Sequence, residues 1–338
     1  MFIKSVFSFF IASTLVLNAA WEEESVVYDD FSDGGASYDA KWSKPFYGIA
    51  GETLDSEGGN LSLSFPNGKF KASAPEFGWS SDFLFFDHIK YLATSNALFP
   101  IPEEGSITFS ADITAQTFNT FPGLVMNANK VIDGSAVAYE LLEGRQAGAT
   151  LHMLNFHETG QLFDWFVYGN KAFALIEKLF NPADINTAYT QIIEEVEIPP
   201  GEHTFSITYT RGRGSKDRVD YLIDGKIIAS VKDIGIPLDQ QSPKFYEKKP
   251  ITDPSQGPGE LVKDQMNTMI IGHGLFSLLD VFPYQQEDLE GTSVTIPLTG
   301  PAPSPGDPNP QVSSRLWGQG AEGVFDNFRV TTRTKVSK

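Results

Sequence analysis

Apolar and polar residues alternate at period two through much of this chain. Asn60–Phe65 (NLSLSF) and Ser106–Thr114 (SITFSADIT) change face at every residue, with Ile107, Phe109, Ala111 and Ile113 on one side. That is the pattern of a half-buried strand. His203–Tyr209 repeats it through Phe205, Ile207 and Tyr209, and Ser25–Phe31 is β-rich before a cluster of acids and glycines. Ser135–Leu142, Ala149–Phe156 and Gln161–Tyr168 are three more runs joined by short Gly-bearing links, and they read as an antiparallel meander. Val219, Tyr221 and Ile223 alternate into Asp224-Gly225, after which Lys226–Val231 returns. Asp-Gly between two β-rich runs predicts a hairpin, because a type I′ turn needs positive φ at both central residues. Helical spacing stands out over Lys171–Phe180, where Phe173, Ile176 and Leu179 or Phe180 recur before Pro182. A short helix is expected there.

Two proline-rich stretches, 242–259 and 297–312, cannot sit in central strands. Strand-like sequence follows each, and too few residues follow the second to make a domain. Both are therefore expected to be long surface loops of one β-sandwich domain spanning 21–338. The two ends echo each other, Tyr28-Asp29-Asp30-Phe31 against Phe325-Asp326-Asn327-Phe328. Pairing the terminal strands would protect two sheet edges.

Residues 1–20 read differently. Lys4 is followed by an apolar run, Val6–Leu17, that closes on small residues at Asn18-Ala19-Ala20. The run has the length of a secretory signal core and is short for a membrane span. A signal peptide over 1–20, a secreted chain and no transmembrane span after cleavage are expected. Cleavage removes one lysine and no acid, so the remainder is more acidic still.

Composition narrows the chemistry. The net charge of −18 and pI near 4.6 argue against nucleic acid as a partner. The absence of cysteine removes thiol nucleophiles, zinc ribbons and disulfides. A domain this large buries enough surface to stand without staples. The five histidines lack metal-ligand spacing, so neither a metal nor a cofactor is expected. No Gly-x-Gly-x-x-Gly, Walker loop or Gly-x-Ser-x-Gly elbow occurs.

Three passages resemble known proteins. Glu202–Ile207 followed by Asp220–Lys226, and the closing Val324–Val330, resemble the concanavalin A-like lectin/glucanase superfamily of jelly-roll sandwiches. Asp87-His88-Ile89-Lys90 and Leu162–Phe166, with Ala174–Leu179 after them, resemble an uncharacterised secreted family known as a domain of unknown function. The chain departs from that family at Ile176-Glu177-Lys178. The resemblance covers most of residues 25–332. It implies an all-β jelly-roll sandwich of two antiparallel sheets in an extracellular setting, and it brings no assigned activity.

On this footing three functions are weighed. The first is glycan binding on a concave sheet face, with a poly- or oligosaccharide as partner. The second is polysaccharide cleavage, and the third is a structural or adhesive role. Glucanases of the superfamily set acids at i and i+2 on one strand face, where one attacks and the other protonates. Glu194-Glu195-Val196-Glu197 is the nearest match, but a solvated strand edge is the simpler reading. If the meander pairs, Glu140, His152 and Asp164 share a face and form the catalytic candidates. An open groove lined by them favours cleavage; burial and mutual bonding count against it. His88 and Lys90 are candidates for an anionic sugar. Trp79, Trp165 and Trp317 are candidates for stacking on a pyranose ring, with core packing the alternative for each. Asn60-Leu61-Ser62 is a glycosylation sequon at Asn60. The oligomeric state is left open.

Overall fold

The computed structural model describes residues 20–44, 61–75, 89–118, 131–132, 135–136, 147–155, 157–178, 189–212, 217–232, 234, 266–277, 284–287, 293–296 and 320–336. In chain order the first strands are β1 (Ala20–Asp29), β2 (Trp42–Ser43), β3 (Ser62–Ser64), β4 (Phe70–Ala74), β5 (Ile89–Ser95), β6 (Phe99–Pro100) and β7 (Gly105–Phe118). Then come β8 (Val131–Ile132), β9 (Ser135–Ala136), β10 (Ala147–Asn155), β11 (Gln161–Tyr168), β12 (Lys171–Lys178), β13 (Tyr189–Glu197) and β14 (His203–Thr210). The last are β15 (Arg218–Ile223), β16 (Lys226–Lys232), β17 (Thr268–Ser277), β18 (Tyr284–Glu287), β19 (Ser293–Ile296) and β20 (Gly320–Val336). A four-residue helix, α1 (Tyr38–Lys41), follows β1.

The strands build an antiparallel jelly-roll sandwich. One sheet runs β16-β15-β14-β7-β20-β4-β3, with β1 also on β20; the other runs β13-β12-β11-β10-β17-β5-β2, with β6 on β17. In the first sheet β7 is buried at every second residue from Gly105 to Ile113, as its alternation predicts. In the second sheet every residue of β10 and β11 is buried, so its central strands are enclosed on both faces. The core between the sheets takes Phe109, Ile113, Phe205, Ile207 and Tyr221 from one side and Leu151, Phe163, Trp165, Ile176 and Ile271 from the other.

The predicted hairpin forms as expected. Ile223 pairs with Lys226, and Asp224 and Gly225 hold φ of 51° and 75°. The terminal strands also pair, Ala20 opposite Val336 and Val26 opposite Val330. The echoing end motifs meet where the Phe31 and Phe328 rings lie 5.8 Å apart, edge to face.

One expectation is corrected and another is met in part. Lys171–Lys178 is a strand rather than a helix, held between β11 and β13. Ala172, Ala174 and Ile176 turn into the core at period two, and hydrogen bonding on both sides overrides the helical propensity of Ala, Leu, Glu and Lys. The three-run meander forms in part: Ala149–Phe156 and Gln161–Tyr168 pair as β10 and β11, while the other side of β10 is taken by β17. Of Ser135–Leu142 only Ser135–Ala136 is described, paired with β8.

Candidate functional site

The outer face of the second sheet carries a row of polar side chains. On β10, Ala149, Leu151 and Met153 turn into the core, so Thr150 and His152 turn the other way. The register sets His152 directly opposite Asp164 on β11, and Leu162 on the same face opposite Glu177 of β12. Thr150 Oγ1 lies 2.6 Å from His152 Nε2, and His152 Nδ1 lies 2.7 Å from Asp164 Oδ1. Hydroxyl, imidazole and carboxyl thus form one continuous chain. Thr150, His152 and Asp164 are 1 %, 1 % and 3 % exposed, while Glu177 is half-buried.

The neighbouring strand β17 is bare at this level. Gly272 and Gly274 stand opposite His152 and Thr150. A Cβ at Gly274 would lie 2.4 Å from the Tyr91 carbonyl oxygen and 2.7 Å from the Phe276 ring, so no side chain fits there. The Phe276 ring instead packs on the imidazole, 4.9 Å between centroids.

Burial governs the charges. Loss of water pushes His152 down to about 4 and Asp164 up to about 8. Glu177 opposes both shifts, by its charge on His152 and by a side-chain hydrogen bond with Asp164. The His152–Asp164 pair therefore holds one proton at neutral pH. In that state the Asp164 hydroxyl donates to Nδ1, and Nε2–H donates to Thr150 Oγ1.

Of the sequence candidates, the fold brings His152 and Asp164 together. Glu140, His88, Trp79, Trp317 and Asn60 lie outside the described residues. Lys90 is 1 % exposed on β5. Trp165 is corrected from ligand platform to core. It is fully buried between the sheets, and its indole N–H donates to the Ser206 carbonyl across the sandwich at 2.9 Å. Trp42 is likewise buried, donating to Asp29 at 2.7 Å. Among the described residues β13 is a sheet edge, as its acid run suggests, with Glu195 paired to Lys171 at 3.1 Å. His203 is structural: Nδ1 meets Asp224 at 2.7 Å and Nε2 meets the Pro199 carbonyl at 2.8 Å.

Sequence reasoning missed Thr150 and Glu177. Thr150 was legible as the i−2 neighbour of His152 on a strand, whereas Glu177 needed the register of a segment taken for helix. It also gave no sign of the setting of His273. That residue points into the core among Trp42, Phe70, Phe325 and Phe328, with ring centroids 4.6 to 5.0 Å away. Burial holds it well below its ordinary value. Among the described residues no group of three or more His, Asp or Glu side chains is placed to hold a metal ion, and no helix is long and apolar enough to cross a membrane.

Comparison with solved structures gives matches at low identity. An endo-1,3-beta-glucanase from Streptomyces sioyaensis aligns over 96 % of this chain and 100 % of its own, at 10 % identity and a TM-score of 0.39. The Bacillus licheniformis beta-glucanase aligns over 93 % and 98 %, at 8 % identity and 0.35. The alginate lyase Aly36B, in a mutant bound to alginate trisaccharide, aligns over 93 % and 98 %, at 8 % identity and 0.32. No curated protein matches the chain. The model of a family of unknown function, DUF6081, matches residues 48–334. That span is most of the sequence, and the chain belongs to this family of unknown function.

Proposed function

We propose that residues 21–338 form one secreted domain that binds a poly- or oligosaccharide at the outer face of the second sheet without cutting it. The observation that carries this reading is the polar row of Thr150, His152 and Asp164. Sugar hydroxyls both donate and accept, and fixed side chains offering both roles are what recognise them. The row is bonded internally and keeps one carboxyl oxygen, Asp164 Oδ2, without a partner. A buried polar atom left so is unfavourable by about 1–3 kcal/mol, a deficit that a ligand hydroxyl would remove. Catalysis is disfavoured because the imidazole of His152 and the carboxyl of Asp164 are bonded to each other, which ties up the acid–base pair. Export rests on Lys4 and the apolar run after it.

One observation favours cleavage as a second reading. Asp164 is pushed up to about 8 and so keeps a proton at neutral pH, the state a general acid requires. Glu177 on the adjacent strand would be the second carboxyl. The test is a polysaccharide and oligosaccharide array probed with the full chain, followed by assays for reducing ends and unsaturated products on every hit. Binding without product supports the first reading. Product formation that disappears in Asp164→Asn supports the second. An empty array overturns both and leaves the adhesive role.

A further inference from the structure

Among the described residues the first sheet ends at β16 and at β3, and β1 lies beside β20 with no second strand partner; we propose that a second copy of this chain pairs β1 of one molecule against β16 of the next. Among the described residues β1 is paired only with β20, and β16 only with β15. Among the described residues, then, each has one side with no strand partner, the template for adding a strand. The exposed large apolar side chains collect at the same two places. Trp21, Val26 and Val27 lie on β1 at 47 %, 53 % and 41 % exposure, Val336 stands beside them on β20, and Ile227 on β16 is 55 % exposed. Leu98 is the exception among the described residues.

Charge selects which edges meet. β1 carries Glu22, Glu23 and Glu24, while β16 begins and ends with Lys226 and Lys232. Two β1 strands would set acid against acid if parallel, and Glu22 and Glu23 against Val27 and Val26 if antiparallel over their full length, while two antiparallel β16 strands would set Lys226 against Lys232; like charges across a strand pair are destabilising. β1 against β16 is matched. With Glu22 opposite Lys232 in an antiparallel pair, Val26 and Val27 fall opposite Ile228 and Ile227. Acid then faces base at one end and apolar faces apolar at the other. The acids of β13 stand on the other sheet, Glu195 tied to Lys171 and Glu194 and Glu197 along that separate edge. Because two different strands meet, the contact is head-to-tail, and its products are closed rings or open rows of molecules.

Sedimentation velocity of the full chain over a micromolar concentration series tests the proposal. Species larger than a monomer are expected at low salt, with self-association about tenfold weaker once salt screens the edge charges. Glu22→Lys with Glu23→Lys and Glu24→Lys is expected to give a monomer, as is Lys226→Glu with Lys232→Glu. Mixing the two variants is expected to restore assembly, since each then supplies the edge the other lacks. Restoration also shows that both variants fold. A chain monomeric at every concentration overturns the proposal. So does an assembly indifferent to both reversals, or a loss that mixing does not repair.

Discussion

His152 and Asp164 tie the stability of the fold to pH through the single proton they share. Taken alone, Asp164, raised from 3.8 to about 8, loses stability as pH rises from the lower value; His152, lowered from 6.5 to about 4, loses stability as pH falls from 6.5. Between about 4 and 6.5 the two slopes cancel, because folded and unfolded pairs each hold one proton. Above 6.5 the unfolded pair releases its proton while the folded pair keeps it. Stability is then expected to fall by up to about 2 kcal/mol on reaching pH 8. Urea midpoints from mildly acid to mildly alkaline pH check this against the variant His152→Gln with Asp164→Asn, which should lose that part of the slope. Equal slopes in the two proteins would show that the pair is not the source. At this scale, residue types were legible from sequence but orientation was not. Trp165 in a β-rich run reads equally as platform or core, and only its hydrogen bond to Ser206 across the sandwich decides.

Elements were most legible where local chemistry and tertiary pairing agree. Asp224-Gly225 is such a place, since the turn and the strands it joins require the same geometry. Gly225→Val puts a β-branched residue at φ 75° and is expected to destabilise the fold by about 1–2 kcal/mol. Gly225→Asn should lose much less, because Asn tolerates that region. Thermal melts of the two variants make the comparison, and equal losses would contradict a type I′ requirement. β12 is the opposite case. Its Ala-Phe-Ala-Leu-Ile stretch satisfies helical and strand periods at once, and the long-range neighbours β11 and β13 decide between them. The register of β10 with β17 joins residues more than a hundred positions apart, as His152 opposite Gly272 illustrates, and no local pattern announces such a pairing.

For the molecule as a whole, cohesion comes from the seam between the sheets, where Trp165 spans the layers. Trp165→Phe keeps most of the ring volume and loses the bond to Ser206; the expected cost is about 1 kcal/mol. Trp165→Ala empties the site and is expected to cost about 3–5 kcal/mol. Chemical denaturation of both variants measures the difference, and a mild Ala variant would place the main packing contribution elsewhere in the core. The sandwich class was legible from period-two alternation, and the closure of the ends from the matching Asp-Phe motifs. One consequence of that closure concerns the speed of folding. β20 lies inside the first sheet, bonded to β7, β4 and β1, and the hydroxyl bond between its Thr331 and Ser25 joins residues 306 positions apart. That sheet therefore gains its middle only when distant parts of the chain meet, and loop closure of this length makes its assembly slow compared with the local hairpin at Asp224-Gly225.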